Sequence, residues 1–340
     1  MKVGLVGYGA WGRHHARAIA AAPSADLAAI ATSGADAAKD WPEVPIFRDW
    51  QTLVAEPTLE AVFVACPNHL HAAVALAALR AGKHVLLEKP MATNAADCDA
   101  LVDAGRRSGR VLTIGHELRV STQWGRIGAL LQEGAIGRPQ HVGIQLFRFP
   151  YRQGNSGWRY DSARVGSWIL EESVHHFDLV LWWLKGSGPP VSLHATALGD
   201  PAMPRALTTT LSFADGAMAS IATSVAGFEH HLAVQLVGEG GSIRALWSAA
   251  MDRADSTLAS LSLFRGRAAP GERAEPVAFE KSGELHELAT QAEAAIQGFH
   301  QGRALVTPEE GRAAVLGCLL ATESARSGRV LDWPTHANPV

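Results

Sequence analysis

The stretch HVLLEKPMATN, residues 84–94, carries an apolar run, Val85-Leu86-Leu87, into a carboxylate and an ammonium, Glu88 and Lys89, before Pro90 stops the strand. Successive strand residues point to opposite faces, so the two charges cannot easily neutralise one another side by side. Each needs its own partner. A second apolar run ends Cys66-Pro67-Asn68-His69-Leu70-His71, and near the start of the chain Gly7-Tyr8-Gly9-Ala10-Trp11-Gly12 follows a strand-like stretch and opens a helical pattern. That context suits a dinucleotide fingerprint: the first glycine makes the turn, the second lets backbone approach a pyrophosphate, and the third lets helix and strand pack closely. The phosphates would rest on free amides at the helix N-terminus. Because ligands of open parallel sheets bind beyond the carboxyl ends of the strands, the 66–71 and 88–90 motifs belong at the same crevice, which sets an ammonium beside the nicotinamide. The competing reading of the glycines is a tight strand-to-helix turn.

The end of the second strand bears on the kind of nucleotide. A carboxylate there would read the ribose 2′-hydroxyl of NAD, but the sequence runs Ala31-Thr32-Ser33-Gly34. Asp26 lies at the wrong end of the strand and Asp36 past the turn. Thr32, Ser33 and the Gly34 amide can donate to a 2′-phosphate, with Arg13 and Lys39 as the nearby cations. NADP(H) is therefore expected in preference to NAD(H). The alternative is that Ser33 and Asp36 form a helix capping box.

These motifs sit in a chain of 340 residues, long enough for about two domains. Hydrophobic residues make up 47% and charged residues 19%, the balance of an ordinary globular protein, and a net charge of −3 leaves no footprint for nucleic acid. Apolar stretches break before about 18 residues, so no membrane span is expected, and Met1-Lys2 runs straight into a strand rather than a secretory signal. A cytoplasmic protein is expected, with Cys66, Cys98 and Cys318 as reduced, scattered thiols. Through about residue 115, apolar strands (2–7, 27–32, 61–66, 84–88 and 111–114) alternate with helical patterns, the signature of a parallel sheet covered on both faces. From about 137 the period becomes two: 138–149, 190–198, 207–214, 216–225 and 232–237 read as antiparallel strands, with Asp215-Gly216 as a hairpin turn. Helices are expected at 166–185, 284–301 and 308–327. The expected organisation is an α/β chain: a Rossmann doubly wound parallel sheet over 1–120, then an α/β domain with a large open, mostly antiparallel sheet over 121–340.

GYGAWG at 7–12, CPNHLH at 66–71, EKP at 88–90, GHELR at 115–119 and the segment from Gly166 to Asp178 together resemble the Gfo/Idh/MocA oxidoreductases, the family of glucose-fructose oxidoreductase and inositol dehydrogenase. The EKP element after a Rossmann strand is specific; the glycine pattern is not. The resemblance implies that Lys89 acts near the nicotinamide and the reacting hydroxyl. It also matches His175 to the family's catalytic histidine and Asp178 to the acid that follows it. Two positions depart from the family pattern: Glu171 stands for its aspartate and Ser173 for its glycine.

Elementary chemistry agrees with these roles. An imidazole titrates near neutral pH and can take a hydroxyl proton as hydride leaves the same carbon, while a partly desolvated ammonium steadies the developing oxygen charge. On a helix, Glu171 and His175, four apart, would share one face. The expected catalytic residues are Lys89, His175 and Glu171. The expected cofactor contacts are Gly7, Tyr8, Gly9, Ala10, Trp11, Gly12, Thr32, Ser33, Pro67, Asn68, His71, Glu88 and Lys89. Arg119, Arg159, Tyr160 and His176 are expected to bind substrate, with Trp158 and Asp161 of the GWRYD stretch beside them. Glu171, His175 and His176 match no recognised metal-ligand spacing, and no metal is expected.

The resemblance implies NAD(P)-dependent hydride transfer at a secondary alcohol or ketone of a sugar, polyol or related cyclic substrate, in a homodimer or homotetramer packed through the open sheet. Two rivals remain. Some relatives oxidise a glycoside transiently and eliminate the aglycone, which needs only catalytic cofactor. A silent cofactor-binding regulator is the other, though it would need neither Lys89 nor His175.

Overall fold

A computed structural model describes residues 1–152, 154–251, 253–254, 256–266 and 273–334, so residues 335–340 of the expected second domain lie outside the described residues. The chain begins β1 (Lys2–Val6), α1 (Ala10–Ala21), β2 (Asp26–Ala31), α2 (Asp36–Asp40), β3 (Ile46–Phe47), α3 (Trp50–Ala55), β4 (Ala61–Val64), α4 (His71–Arg80), β5 (His84–Glu88), α5 (Ala95–Arg107) and β6 (Leu112–Gly115). Then come α6 (Trp124–Gln132), β7 (Pro139–Phe147), α7 (Ser162–Val165), α8 (Val174–Trp183), β8 (Pro190–Leu198), β9 (Ala206–Phe213), β10 (Met218–Ser224), β11 (His230–Gly238) and β12 (Gly241–Ala249). The last elements are β13 (Thr257–Arg265), β14 (Glu275–Pro276), α9 (Glu284–Gln301), α10 (Pro308–Ser327) and β15 (Leu331–Asp332).

Two compact units result. The first comprises Met1–Glu117, Gln153–Glu171 and Glu287–Val315; the second comprises Leu118–Arg152, Glu172–His286 and Leu316–Val340. Two segments beyond residue 120 thus belong to the first unit. For one of them the reason is apolar burial: Leu288, Ala292, Ala295, Ile296 and Phe299 recur at helical spacing along α9 and join the core that holds Val3, Leu5, Ile30 and Phe63. Truncating Phe299, 3% exposed, to alanine should cost about 3–5 kcal/mol.

The first unit's sheet is ordered β3-β2-β1-β4-β5-β6 and is parallel throughout. The order reverses between β1 and β4, so the residues following those two strands flank a topological switch point. Its strands are nearly fully buried, as β4 (Ala61–Val64) illustrates. The two-residue β3 escapes sequence reading because it has neither an apolar run nor alternation.

The second unit's nine-stranded sheet is ordered β14-β13-β12-β11-β7-β10-β9-β8-β15. All its pairs are antiparallel except β7 with β10. The Rossmann-plus-open-sheet expectation therefore holds. The β9–β10 hairpin turns at Asp215-Gly216, where Ala217 N donates to Asp215 Oδ1 at 3.0 Å. Strands β12 and β13 extend the sheet beyond the expected ones, although the alternate burial of Ile243, Ala245 and Trp247 follows period two.

One expected element is corrected. The helix over 166–185 starts later and differently: Gly166, at φ +83°, follows α7, and a π-turn over Ile169–Ser173 precedes α8. Ser167 starts that turn by accepting from Leu170 N at 3.0 Å through Oγ. A π-turn is wider than an α-turn, so the shared-face spacing expected of Glu171 and His175 does not carry over. The helix at 308–327 starts as expected, with a Thr307–Glu310 capping box. Among the described residues no helix is long and apolar enough to cross a membrane.

Candidate active site

The glycine loop follows β1 at the switch point. Gly7 takes φ +101°, and a Cβ on it would come within 2.4 Å of the Ala65 carbonyl oxygen beyond β4. A Cβ on Gly12 would meet the Gly7 carbonyl oxygen at 2.0 Å. Gly9 is different: its Cβ would meet nothing within 4 Å. Helix α1 begins immediately after it, with no side-chain cap and no acidic residue in its first turn. The loop therefore offers amide donors and open space together, which fits a dinucleotide pyrophosphate.

Beyond β2, Gly34 N donates to Thr32 Oγ1 at 3.2 Å, and Ser33 is exposed. Helix α2 starts with Ala35 in the cap position and no side-chain cap bond, so the capping-box alternative for Ser33 is not realised. Arg13 pairs with both Asp36 and Asp40, which compensates its charge. Tyr8 donates to Asp40 Oδ2 at 2.9 Å and receives a bond from Trp41 Nε1; burial and the Asp40 bond raise its pKa. The sequence reading missed Arg48. Its NH1 donates to the carbonyl oxygens of Ser33 at 3.2 Å and Gly34 at 3.3 Å. Only the pairing of β3 with β2 brings this cation to the loop, so no local signal could have found it.

At the carboxyl end of β5, Glu88 is buried at 3% exposure. Its Oε1 lies 2.7 Å from His15 Nε2, and its Oε2 accepts from the Lys89 main-chain N–H at 3.1 Å. Burial, the largest influence, pushes the Glu88 carboxyl up, but the His15 bond and the charges of His15 and Lys89 outweigh it and hold it below its ordinary value. Lys89 is partly buried and donates through Nζ to the main-chain oxygen of Glu171 at 3.0 Å. His71 lies with Nδ1 2.7 Å from the Pro90 carbonyl oxygen and Nε2 2.9 Å from that of Cys66. Burial lowers its pKa against the pull of both carbonyls. Its ring links the 66–71 and 88–90 loops; Pro67 precedes Asn68 at the start of that link.

Glu171 is buried at 6% exposure, and both its carboxylate oxygens are engaged. Arg159 Nε donates to Oε1 at 2.6 Å, and Asn68 Nδ2 donates to Oε2 and to the Val165 carbonyl, both at 3.1 Å. The Arg159 guanidinium also stacks on Trp158, 4.6 Å from the ring centroid. Trp168 Nε1 donates to the Arg159 carbonyl at 2.9 Å and packs edge-on against Tyr160, which is 46% exposed. Asp161 caps α7 through Ala163 N. The first unit thus gathers Lys89, Asn68, Arg159 and Glu171 into one network.

Within the second unit, Arg119 grips Asp178 with two bonds, Nε to Oδ2 at 2.9 Å and NH2 to Oδ1 at 2.7 Å, and lies over the Trp182 ring. Arg148 NH1 donates to Glu172 Oε2 at 2.5 Å and lies over Tyr151. His175 and His176 are buried at 7% and 2% exposure on α8. Glu171, Glu172 and Asp178 therefore each hold an arginine.

A parallel sheet with a glycine loop at its switch point is the arrangement of a dinucleotide-binding Rossmann unit. Residues 1–116 match the oxidoreductase family's NAD-binding Rossmann fold, and residues 124–244 match the GFO/IDH/MocA C-terminal domain. The chain belongs to the Gfo/Idh/MocA oxidoreductase family. It is 34% identical over 178 residues to the oxidoreductase YdgJ of Escherichia coli (strain K12), covering 52% of this chain and 51% of that one. It is 30% identical over 296 residues to 1,5-anhydro-D-fructose reductase of Ensifer adhaerens, covering 84% and 83% respectively. With levoglucosan dehydrogenase of Pseudarthrobacter phenanthrenivorans it shares 31% identity over 195 residues, 52% of this chain and 49% of that one. The match thus spans about half the length of two of these three relatives. A solved levoglucosan dehydrogenase, in complex with NADH and levoglucosan, superposes with a TM-score of 0.79 at 24% identity, covering 98% of this chain and 100% of that chain.

Proposed function

We propose that the protein transfers hydride between NADP(H) and a secondary alcohol or ketone of a sugar, polyol or related cyclic substrate. The observation that carries this reading is the Lys89 ammonium, held on the Glu171 main-chain carbonyl at the carboxyl end of β5, within the same unit as an open glycine loop. The named substrates of two relatives, 1,5-anhydro-D-fructose and levoglucosan, support a cyclic sugar derivative.

Gly7 through Gly12 would hold the pyrophosphate on the amides of α1, and Thr32, Ser33 and Arg48 would receive the 2′-phosphate. The cofactor, when bound, supplies the hydride chemistry. Lys89 steadies negative charge on the reacting oxygen through Nζ. His175 takes the hydroxyl proton on an imidazole nitrogen. Glu171 is a positioning residue: its carboxylate orders Arg159 and Asn68, and its main-chain carbonyl orients Lys89. Arg119, Arg159, Tyr160 and His176 belong to substrate recognition. Residues 121–340 would supply substrate binding and the interface of a cytoplasmic homodimer or homotetramer.

The test is NADPH and NADH absorbance with purified protein and a panel containing 1,5-anhydro-D-fructose, levoglucosan and myo-inositol. Cofactor-dependent turnover of at least one cyclic substrate is expected. Glycoside cleavage with catalytic cofactor and no net change in NADPH would replace this reading with the elimination chemistry.

A further inference from the structure

Glu88 and His15 are both buried, at 3% and 1% exposure, and neither is needed by the chemistry proposed above. A carboxylate without a partner at that depth would be strongly destabilising, and a neutral apolar residue would complete β5 more simply. The surroundings are shaped to accept the charge. Gly115, paired with Glu88 across β5 and β6, leaves room that a Cβ would fill, since it would stand 3.2 Å from both Glu88 Cα and Oε1. His15 is set in place by rings on two sides, edge-on to Trp11 at 5.9 Å and to Phe63 at 6.2 Å.

The two oxygens of Glu88 have different duties. Oε1 accepts a hydrogen bond from His15 Nε2 at 2.7 Å, and Oε2 accepts the main-chain N–H of Lys89 at 3.1 Å. His15 lies on α1, the helix whose first turn provides the amides beside Gly9. An unbroken chain of contacts thus runs from the glycine loop through α1 and His15 to Glu88 and the backbone of Lys89. The His15–Glu88 bond is short, as a charge-assisted bond is, and with the Lys89 N–H on Oε2 it ties α1 to the backbone that ends β5.

We propose that His15 and Glu88 form a positioning pair that fixes the Lys89 backbone relative to the phosphate-binding end of α1, so that cofactor binding orders the lysine. This inference rests on the cofactor-binding reading above. It also explains the charges that end β5: the ammonium of Lys89 serves the reacting oxygen, and the carboxylate of Glu88 serves the lysine.

The test compares wild type, His15→Phe, His15→Gln and Glu88→Gln. His15→Phe keeps the bulk and removes the donor, whereas His15→Gln can place an amide N–H near the Nε2 position. NADPH affinity is measured by calorimetry, and hydrogen exchange of the 84–94 segment is followed with and without NADPH. In wild type, NADPH should slow exchange there by about tenfold. His15→Phe should bind NADPH within about threefold of wild type yet lose that protection, Glu88→Gln should lose it as well, and His15→Gln should regain it. Full protection of 84–94 in His15→Phe would overturn the inference while leaving cofactor binding intact, because the nicotinamide would then be ordering Lys89 directly. Absence of NADPH and NADH binding to wild type would overturn the cofactor reading and this inference with it. Should His15→Phe fail to fold, Glu88→Gln carries the same comparison.

Discussion

The Lys89 ammonium donates to the main-chain carbonyl of Glu171 at 3.0 Å, while the Glu171 side chain faces Arg159 and Asn68. One residue therefore orients the lysine with its backbone and orders the neighbouring loop with its carboxylate. A carbonyl in a π-turn suits the first task, since departures from α-helical bonding change which partners the main-chain groups can take.

Lys89→Met should remove most turnover while leaving folding and NADPH affinity close to wild type. An electrostatic stabiliser of this type contributes on the order of a hundredfold or more to the rate. Thermal melting with and without NADPH, run beside steady-state kinetics, separates the roles. Near wild-type turnover would show that Lys89 only props up the π-turn.

Glu171→Gln should lower stability by about 1–3 kcal/mol, because Arg159 loses a charged partner in a largely buried pair. Its kcat should nevertheless fall far less than that of Lys89→Met, since the main-chain carbonyl that orients the lysine survives the substitution. Denaturant midpoints and kcat measured on the same preparations decide the matter. A loss of rate without a loss of stability would make the carboxylate a reacting group.

NADPH should bind more tightly than NADH. Ser33→Asp should weaken NADPH binding by about tenfold or more and leave NADH within a few-fold, because the added charge meets only the 2′-phosphate. Calorimetric titration of both nucleotides reads this directly. Tighter binding of NADH to wild type would confine Arg48 to holding the Ser33 and Gly34 carbonyls.

The pairing of Glu88 makes acid stability a further observable. The folded carboxyl keeps its charge to lower pH than the unfolded one, for the reasons given above. Its contribution is therefore complete above the ordinary glutamate value of about 4.3 and is lost as pH falls from there through the folded value. Glu88→Gln should lower stability at neutral pH and flatten the acid limb in that window. A limb as steep as wild type would mean that other carboxylates govern acid unfolding.

What could be read from the sequence was what is encoded locally. The glycine loop, the strand ending in Glu88-Lys89-Pro90 and the amphipathic α9 carry their signals in a few adjacent or periodic residues. What escaped depends on contacts between distant segments. Arg48 reaches the Ser33 carbonyl only because β3 pairs with β2. α9 completes the first unit's core from nearly the other end of the chain. The engagement of Glu171 by Arg159 follows from the turn that replaces the expected first turns of the 166–185 helix, and no helical periodicity announces a π-turn. The arginine partners of Glu172 and Asp178 likewise come from outside the motif that drew attention to those acids.

Those arginine partners sharpen the prediction for His175. Glu171, Glu172 and Asp178 are each engaged by an arginine, and imidazole as a class takes a proton near neutral pH, so His175 on α8 is the acceptor to test in the 171–178 segment. The neutral ring is the acceptor, so the rate of alcohol oxidation at saturating substrate should fall toward low pH as the ring becomes charged, and the reverse reduction should not fall with it over the same range. His175→Asn should abolish the low-pH limb and cost on the order of a hundredfold in kcat. A packing histidine would behave differently, lowering the melting temperature first and leaving the pH profile of the surviving enzyme unchanged. The comparison with Glu171→Gln, measured across the same pH range, completes the assignment. Loss of the limb in Glu171→Gln with its retention in His175→Asn would move the proton to the carboxylate, against the pairing with Arg159. A small rate effect in both variants would transfer the proton to Lys89, or show that product release is slower than chemistry, which a primary deuterium isotope effect on kcat would distinguish.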